Sequence, residues 1–302
     1  MLVDSGLEEP NEGTTVHEHE SIKGQLVVVA TPLGNLGDIS RRALELLASA
    51  DVVYCEDTRR SSTLFSANDI PVMGRLRALH EHNEASLCDQ VVTEVMEGKV
   101  VVLVSDAGTP GISDPGSRVV AAVAAAGLEV TTAPGPSAVV AALSISGLPT
   151  ERFVMEGFIP RKAGERRTLY EQWRHESRTI VFYESPQRLA TTLREMSELF
   201  GGRRCCVARE MTKLHEELLR ATVGELAETF AAREVLGEIV VVLEGSHDVS
   251  EVGDDDIRAS IIALVAGGVS TRDAVTYVEE RFGVAHRRVY QLALELRADG
   301  KA

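Results

Sequence analysis

Aromatic side chains are scarce in this chain of 302 residues: seven Phe, five Tyr and a single Trp. Rows of stacking platforms, the usual grip on single-stranded nucleic acid, are therefore not what it relies on. Cysteine is scarce too. Cys55, Cys88, Cys205 and Cys206 show no C-x-x-C spacing, and the last two are adjacent in an apolar run. Buried thiols in a reducing compartment fit that pattern better than a disulfide framework or a metal site. No apolar run approaches the ~20 residues of a membrane span. No basic flank precedes an apolar stretch at the amino end, so no signal peptide is expected and a cytoplasmic location is. Several catalytic signatures are missing: no P-loop, no G-x-G-x-x-G after the first strand, no G-x-S-x-G elbow and no H-E-x-x-H. Of eight histidines His80 and His82 cluster around Glu81, and i,i+2 spacing is a poor metal template, so no metal is expected.

Positive charge is the remaining shortage. Lys and Arg total 31 against 46 acids, a net charge of −15. That balance argues against a nucleic-acid binder until its distribution is read. Residues 1–22 carry six acids and no Lys or Arg, and residues 247–256 carry five more without a base. Outside those two segments the net charge is only −4, which leaves room for a local basic surface.

What is present is the composition of a globular protein, 44% hydrophobic and 25% charged. Residues 1–23 read as a disordered acidic tail. A strand–helix rhythm follows. Gln25–Ala30, Asp51–Cys55, Val100–Val104 and Glu129–Ala133 read as strands, with helices between them at Ser40–Ala50 and Pro115–Ala126. Short, fully apolar runs in such alternation predict a parallel α/β sheet. After Gly147–Glu151 the punctuation resets. Phe153–Phe158, Thr179–Tyr183, Cys205–Arg209, Glu217–Thr222 and Glu238–Glu244 read as strands. A charged loop precedes a helix near Thr168–His175, and further helices fall at Pro186–Phe200 and Gly224–Ala232. Closely spaced strands there predict a mixed sheet. Domains are thus expected at 24–148 and 149–246, an acidic linker at 247–256 and three short helices in 257–302. The three helices fit either a helix-turn-helix module or a plain helical cap.

Three loops rich in Gly, Pro, Asp and Ser follow apolar strands: Thr31–Asp38, Ser105–Gly116 and Ala133–Ala138. Loops at the carboxyl ends of parallel strands are where open α/β sheets bind ligands. Glycines let the backbone approach a ligand, and prolines fix the loop in advance. Three such loops in one half favour a binding cleft over ordinary tight turns.

The strings themselves are specific. VATPLGNLGDIS, EDTR (Glu56–Arg59), HEHNE (His80–Glu84), VSDAGTPGISDPG (Val104–Gly116), PGPSA and SGLPT occur in order. EGFIPRKAGER, FYESPQRL, AREMTKLHEE and GEIVVVLEG follow them. From about Gln25 to Gly245 the chain resembles the bacterial small-subunit rRNA methyltransferases that modify the ribose 2′-hydroxyl of a decoding-centre cytidine. That family sits within the tetrapyrrole-methylase superfamily, and many members carry a helix-turn-helix appendage.

The resemblance implies a two-domain tetrapyrrole-methylase fold, a homodimer, and S-adenosylmethionine (SAM) as methyl donor in a cleft between two α/β domains. It implies cofactor contacts at Pro32, Asp106, Ala107, Gly108, Ile112, Ser137, Tyr183, Ala208, Glu238 and Ile239. The substrate it implies is 16S rRNA in the small ribosomal subunit. Two rivals remain: a tetrapyrrole C-methyltransferase of the cobalamin or sirohaem routes, and a non-catalytic SAM- or ribosome-binding factor. The first usually carries a GDP-type long loop where this chain reads AGTPGISDPG.

In-line methyl transfer asks an enzyme mainly to position its reactants, and an acceptor near the weakly nucleophilic 2′-hydroxyl helps. Acids in the cleft motifs are candidates: Asp106, Glu81 and Glu210 first, with Glu56 and Asp57 beside them. Each has a plainer reading, Asp106 as a loop former and Asp57 with Arg59 as a helix-start ion pair. The Lys-Asp-Lys-Glu tetrad of other ribose methylases is not present. For RNA phosphates the best cluster is Arg161, Lys162, Arg166 and Arg167, four bases in seven residues.

Overall fold

The computed structural model describes residues 24–246 and 253–298. The expected acidic tail and most of the acidic linker lie outside the described residues. The chain divides into two compact units, one ending at Ser137 and the other starting at Ala138.

In the first unit each apolar run becomes a parallel strand. They are β1 (Gln25–Val29), β2 (Val52–Cys55), β3 (Leu76–Ala78), β4 (Val100–Leu103) and β5 (Glu129–Ala133). The order is β3-β2-β4-β1-β5, and every pairing is parallel. Ser40 caps α1 (Arg41–Ser49) by accepting the Ala43 N–H, and Asp57 caps α2 (Thr58–Ala67) by accepting the Arg59 N–H. These two helices bury Ala43, Leu47 and Phe65 against Val27, Val29, Val53 and Val102. On the opposite face α3 (Glu84–Met96) and α4 (Ser117–Ala125) bury Val91, Val95, Val119 and Val123 against Leu26, Tyr54, Val101 and Leu103.

This order has a functional consequence. The crossover from β1 runs over β4 toward β2, and the crossover from β4 runs over β1 toward β5. Right-handed crossovers in opposite directions put their helices on opposite faces. The loops leaving β1 and β4 therefore diverge, and they do so at the carboxyl edge where such sheets take ligands.

In the second unit β6 (Phe153–Phe158), β7 (Thr179–Glu184), β8 (Arg204–Arg209), β9 (Glu217–Thr222) and β10 (Ile239–Leu243) form a sheet of order β6-β7-β10-β8-β9. Only β6 and β7 are parallel. One face is covered by α6 (Ala163–Trp173), α7 (Pro186–Phe200) and α8 (Val223–Phe230), with Trp173, Phe182, Leu193 and Phe230 buried in that core. The other face is covered by α5 (Ala138–Ser146), whose Val139, Ala142 and Leu143 meet Val181, Cys206, Ala208 and Val240. Because α5 packs on the second sheet, the division by contacts falls ahead of the 148/149 boundary that GLPTE suggests.

One expectation is corrected. The charged segment before residue 168 is not a loop, because α6 begins at Ala163 with Lys162 as its cap. Gly164 weakens the helical signal there, whereas its neighbours are good helix formers and Arg166 is tied to α7. The three-residue β3 and the helix α5, apolar on nearly all sides, escape a search by periodicity. Cys55, Cys205 and Cys206 are buried free thiols and Cys88 is half-buried. The carboxyl-terminal helices are α9 (Asp254–Ala266), α10 (Thr271–Phe282) and α11 (His286–Ala298). They share a core of Ile257, Ile261, Val275, Val289 and Leu292. Gly283, left-handed at φ 63°, ends α10 and makes the tight turn into α11.

Candidate functional site

At the carboxyl edge of the first sheet the loop after β4 is built from residues that tolerate unusual backbone angles. Gly108, Gly111 and Gly116 have φ of 84°, 81° and 131°. A side chain at Gly116 would place Cβ 2.6 Å from Leu103 as well as straining the backbone. A two-residue bridge ties this loop to the one after β1: the Thr31 N–H donates to Gly108 O at 2.9 Å, and the Gly108 N–H returns to Thr31 O at 3.0 Å. The Thr31 hydroxyl donates to Ser105 O and the Thr109 hydroxyl to Pro136 O, each at 3.0 Å. All three predicted loops are thus fastened together within the first unit. Buried Glu84, the first residue of α3, accepts the Gly116 and Arg118 N–H groups at 2.9 and 2.8 Å and so holds the loop's far end. Sequence reasoning missed it; its place at the end of HEHNE was the available signal.

The loops bring Pro32, Asp106, Ala107, Gly108, Ile112 and Ser137 to this edge. The Asp106 carboxylate is already engaged, since it accepts the Asp57 N–H at 3.1 Å and pairs with Arg60 at 3.4 Å. Asp57 caps α2 and is gripped by Arg59, whose hydrogen bonds hold its carboxyl down at about 2. Glu81 is exposed on the turn between β3 and α3. Glu56 differs from the other acids. It is half-buried at the end of β2, and no hydrogen bond or ion pair engages it among the described residues. Burial raises its carboxyl above the ordinary value, Asp106 and Asp57 push the same way, and Arg60 and His80 oppose. Nδ1 of His80 is itself buried without a partner among the described residues.

In the second unit the remaining expected contacts collect on three adjacent strands. Tyr183 on β7 and Ala208 on β8 both lie opposite Val240 on β10, and Ile239 lies opposite Glu184 and Arg209. The carboxyl ends of β7 and β8 thus flank the amino end of β10, where Glu238 is found. Glu210, expected as a proton acceptor, instead accepts the Glu238 N–H at 2.9 Å and the Lys213 ammonium at 2.8 Å. Burial raises its carboxyl pKa, but those hydrogen bonds outweigh burial and the net direction is down.

The basic segment is divided. Arg166 makes a two-pronged pair with Glu195 at 2.8 and 2.7 Å and also donates to Arg161 O. Its side chain is only 12% exposed, so it anchors α6 to α7. Arg161, Lys162 and Arg167 are exposed, with Lys162 pairing locally with Glu165. Among the described residues no group of three His, Cys, Asp or Glu is placed to hold a metal ion, and no helix is long and apolar enough to cross a membrane.

The donor set fits SAM. Small residues and positive-φ glycines present backbone amides and carbonyls, Ile112 and Leu36 are half-exposed apolar cover, and the acids of the first edge suit a sulfonium and an ammonium.

A five-stranded parallel sheet is followed in one chain by a five-stranded mixed sheet, and residues 25–227 match the family Tetrapyrrole (Corrin/Porphyrin) Methylases. Solved structures agree in fold. A diphthine synthase superposes with a TM-score of 0.58 at 15% identity, over 73% of this chain and 89% of that one. A cobalt precorrin-4 methyltransferase does so at 0.54 and 18%, over 73% and 94%. Curated relatives are much nearer in sequence. Ribosomal RNA small subunit methyltransferase I of Mycobacterium tuberculosis (strain CDC 1551 / Oshkosh) is 45% identical over 91% of this chain and 96% of its own. Its counterpart in Neisseria meningitidis serogroup B (strain MC58) is 40% identical over 90% and 94%. The chain belongs to the tetrapyrrole methylase family, in the branch whose curated members carry that ribosomal RNA methyltransferase name.

Proposed function

We propose that this protein transfers a methyl group from SAM to 16S rRNA within the small ribosomal subunit, on the ribose 2′-hydroxyl of a decoding-centre cytidine. The observation that carries the reading is the 45% identity, over 91% of the chain, to relatives named for small-subunit rRNA methylation. It acts in the cytoplasm as a homodimer.

SAM, when bound, supplies an electrophilic methyl group on a sulfonium. The chain's own residues do the rest. In the first unit Pro32, Ala107, Gly108, Ile112 and Ser137 offer backbone contacts from loops already fastened to one another, which lowers the ordering cost of binding. In the second unit Tyr183, Ala208, Glu238 and Ile239 offer a strand-edge surface. Within the first unit Asp106 holds the start of α2 through the Asp57 N–H and Arg60. Of the five candidate acids, Glu56 is the one free to take the proton of a 2′-hydroxyl, since Asp57, Asp106 and Glu210 are engaged and Glu81 lies out on a turn. Arg161, Lys162 and Arg167 supply phosphate contacts at the start of α6.

The test is transfer of labelled methyl from SAM to purified small subunits that lack the modification, beside naked 16S rRNA and uroporphyrinogen. Label on the subunit supports the reading. Label on the tetrapyrrole alone, or on none of the three, overturns it.

A further inference from the structure

The segment Glu210–Lys213 and the segment Gly237–Ile239 are joined by an unusual clasp. The Glu210 backbone N–H donates to Glu238 O at 2.9 Å, and the Glu210 carboxylate accepts the Glu238 N–H at 2.9 Å. One residue thus satisfies both backbone groups of another. Lys213 closes the clasp, with Nζ 2.8 Å from Glu210 and 3.0 Å from the Glu238 carboxylate. The backbone accommodates this at a cost. Glu210 and Thr212 sit at φ of 50° and 67°, a region that L-residues avoid. Gly237 is required for it: φ is 90°, and a Cβ there would fall 2.3–2.4 Å from the Glu210 side chain. The clasp also walls a cavity of about 320 Å³, lined by Arg209, Glu210, His215, Arg233, Leu236 and Gly237.

The Glu238 N–H and the Lys213 ammonium both bond Oε1 of the Glu210 carboxylate and favour its charged form, which makes it a weak base for a substrate proton. Its bonds instead fix the orientation of the peptide unit that enters β10. From the paired bonds, the glycine that makes room for them and the adjoining cavity, we infer that Glu210 is a positioning residue for SAM, locking the Glu238–Ile239 backbone with Lys213 as its second anchor. The inference rests on the methyl-donor reading. It deepens that reading by assigning Glu210 a binding role in place of proton transfer.

Calorimetric titration of the full chain with SAM tests it, together with amide hydrogen exchange and thermal unfolding. Glu210→Ala should weaken SAM binding at least tenfold and speed exchange at Glu238, while Glu210→Gln, which keeps an acceptor oxygen, recovers most of both. Lys213→Met should give an intermediate loss and covers the case in which Glu210→Ala does not fold. Gly237→Ala should reproduce the Glu210→Ala defect with Glu210 still present. Binding by Glu210→Ala and Lys213→Met as tight as by the unaltered protein overturns this inference alone. Absence of SAM binding by the unaltered protein overturns the methyl-donor reading and this inference with it.

Discussion

Glu84→Ala is the sharpest test of how the long loop is held. The Glu84 carboxylate is buried and receives two N–H groups at 2.9 and 2.8 Å, one from Gly116 and one from Arg118. It acts as a cap donated from α3 to α4, where the first N–H groups of a helix have no partner of their own. Each hydrogen bond to an ionised group is worth about 1.5–3 kcal/mol. Favourable charge at a helix amino end adds up to about 1 kcal/mol. Water reaches the vacated space only in part, because Gly116 is buried. A net loss of about 3 kcal/mol is expected, which for a unit of this size lowers its unfolding midpoint by about 10–13 °C. Glu84→Gln retains an acceptor and loses the charge, so about a third of that fall is expected. Differential scanning calorimetry reads both. Because the same contacts end the Ser105–Gly116 loop, SAM affinity should fall in parallel, most in the Ala variant. An unfolding midpoint for Glu84→Ala within 1 °C of the parent would refute the argument that this carboxylate organises the loop.

Other expectations follow from the same geometry. Arg166→Ala should cost about 1–2 kcal/mol of stability in denaturant unfolding, because it leaves Glu195 without its two-pronged partner. Arg161→Ala and Arg167→Ala should leave unfolding unchanged and each lower the salt-dependence slope of subunit binding by about one. Glu56→Gln should abolish the rise of turnover with pH. The Glu56 pKa is raised in the folded state, so its contribution to stability is full below the unfolded value and is lost as pH rises through the folded one. At neutral pH the Gln variant should therefore melt no lower than the parent while turning over more slowly. Melting curves at pH 4 and pH 7.5, with initial rates across that range, check both signs.

Much of this was legible in the sequence because apolar runs and punctuating loops report directly on parallel strands. QLVVV, VVYC and VVVL read as buried strands between helices and pair in parallel, whereas IVVVL also reads as a strand but pairs antiparallel on both sides. β3 was not legible, because its three residues carry Arg77, which is accommodated by Glu94 and Tyr54 from α3 and β2. α5 has no polar face to set a helical period, since both sides of AVVAALSIS are apolar. At the site, loop motifs announced themselves through glycine, proline and local acids. What could not be read was which charges are already partnered. Arg166 meets Glu195 across 29 positions and Glu210 meets Glu238 across 28. Such pairings are made by the sheet and its helices, not by neighbours in sequence.

The central claim is a ribose methylation, and nucleoside analysis tests it most directly. Small subunits lacking the modification are incubated with the protein and methyl-labelled SAM, the rRNA is digested to nucleosides, and the label is located by mass spectrometry. Label is expected in 2′-O-methylcytidine, in a phosphodiester that resists alkaline cleavage. Label on a base, or on a different nucleoside, would contradict it.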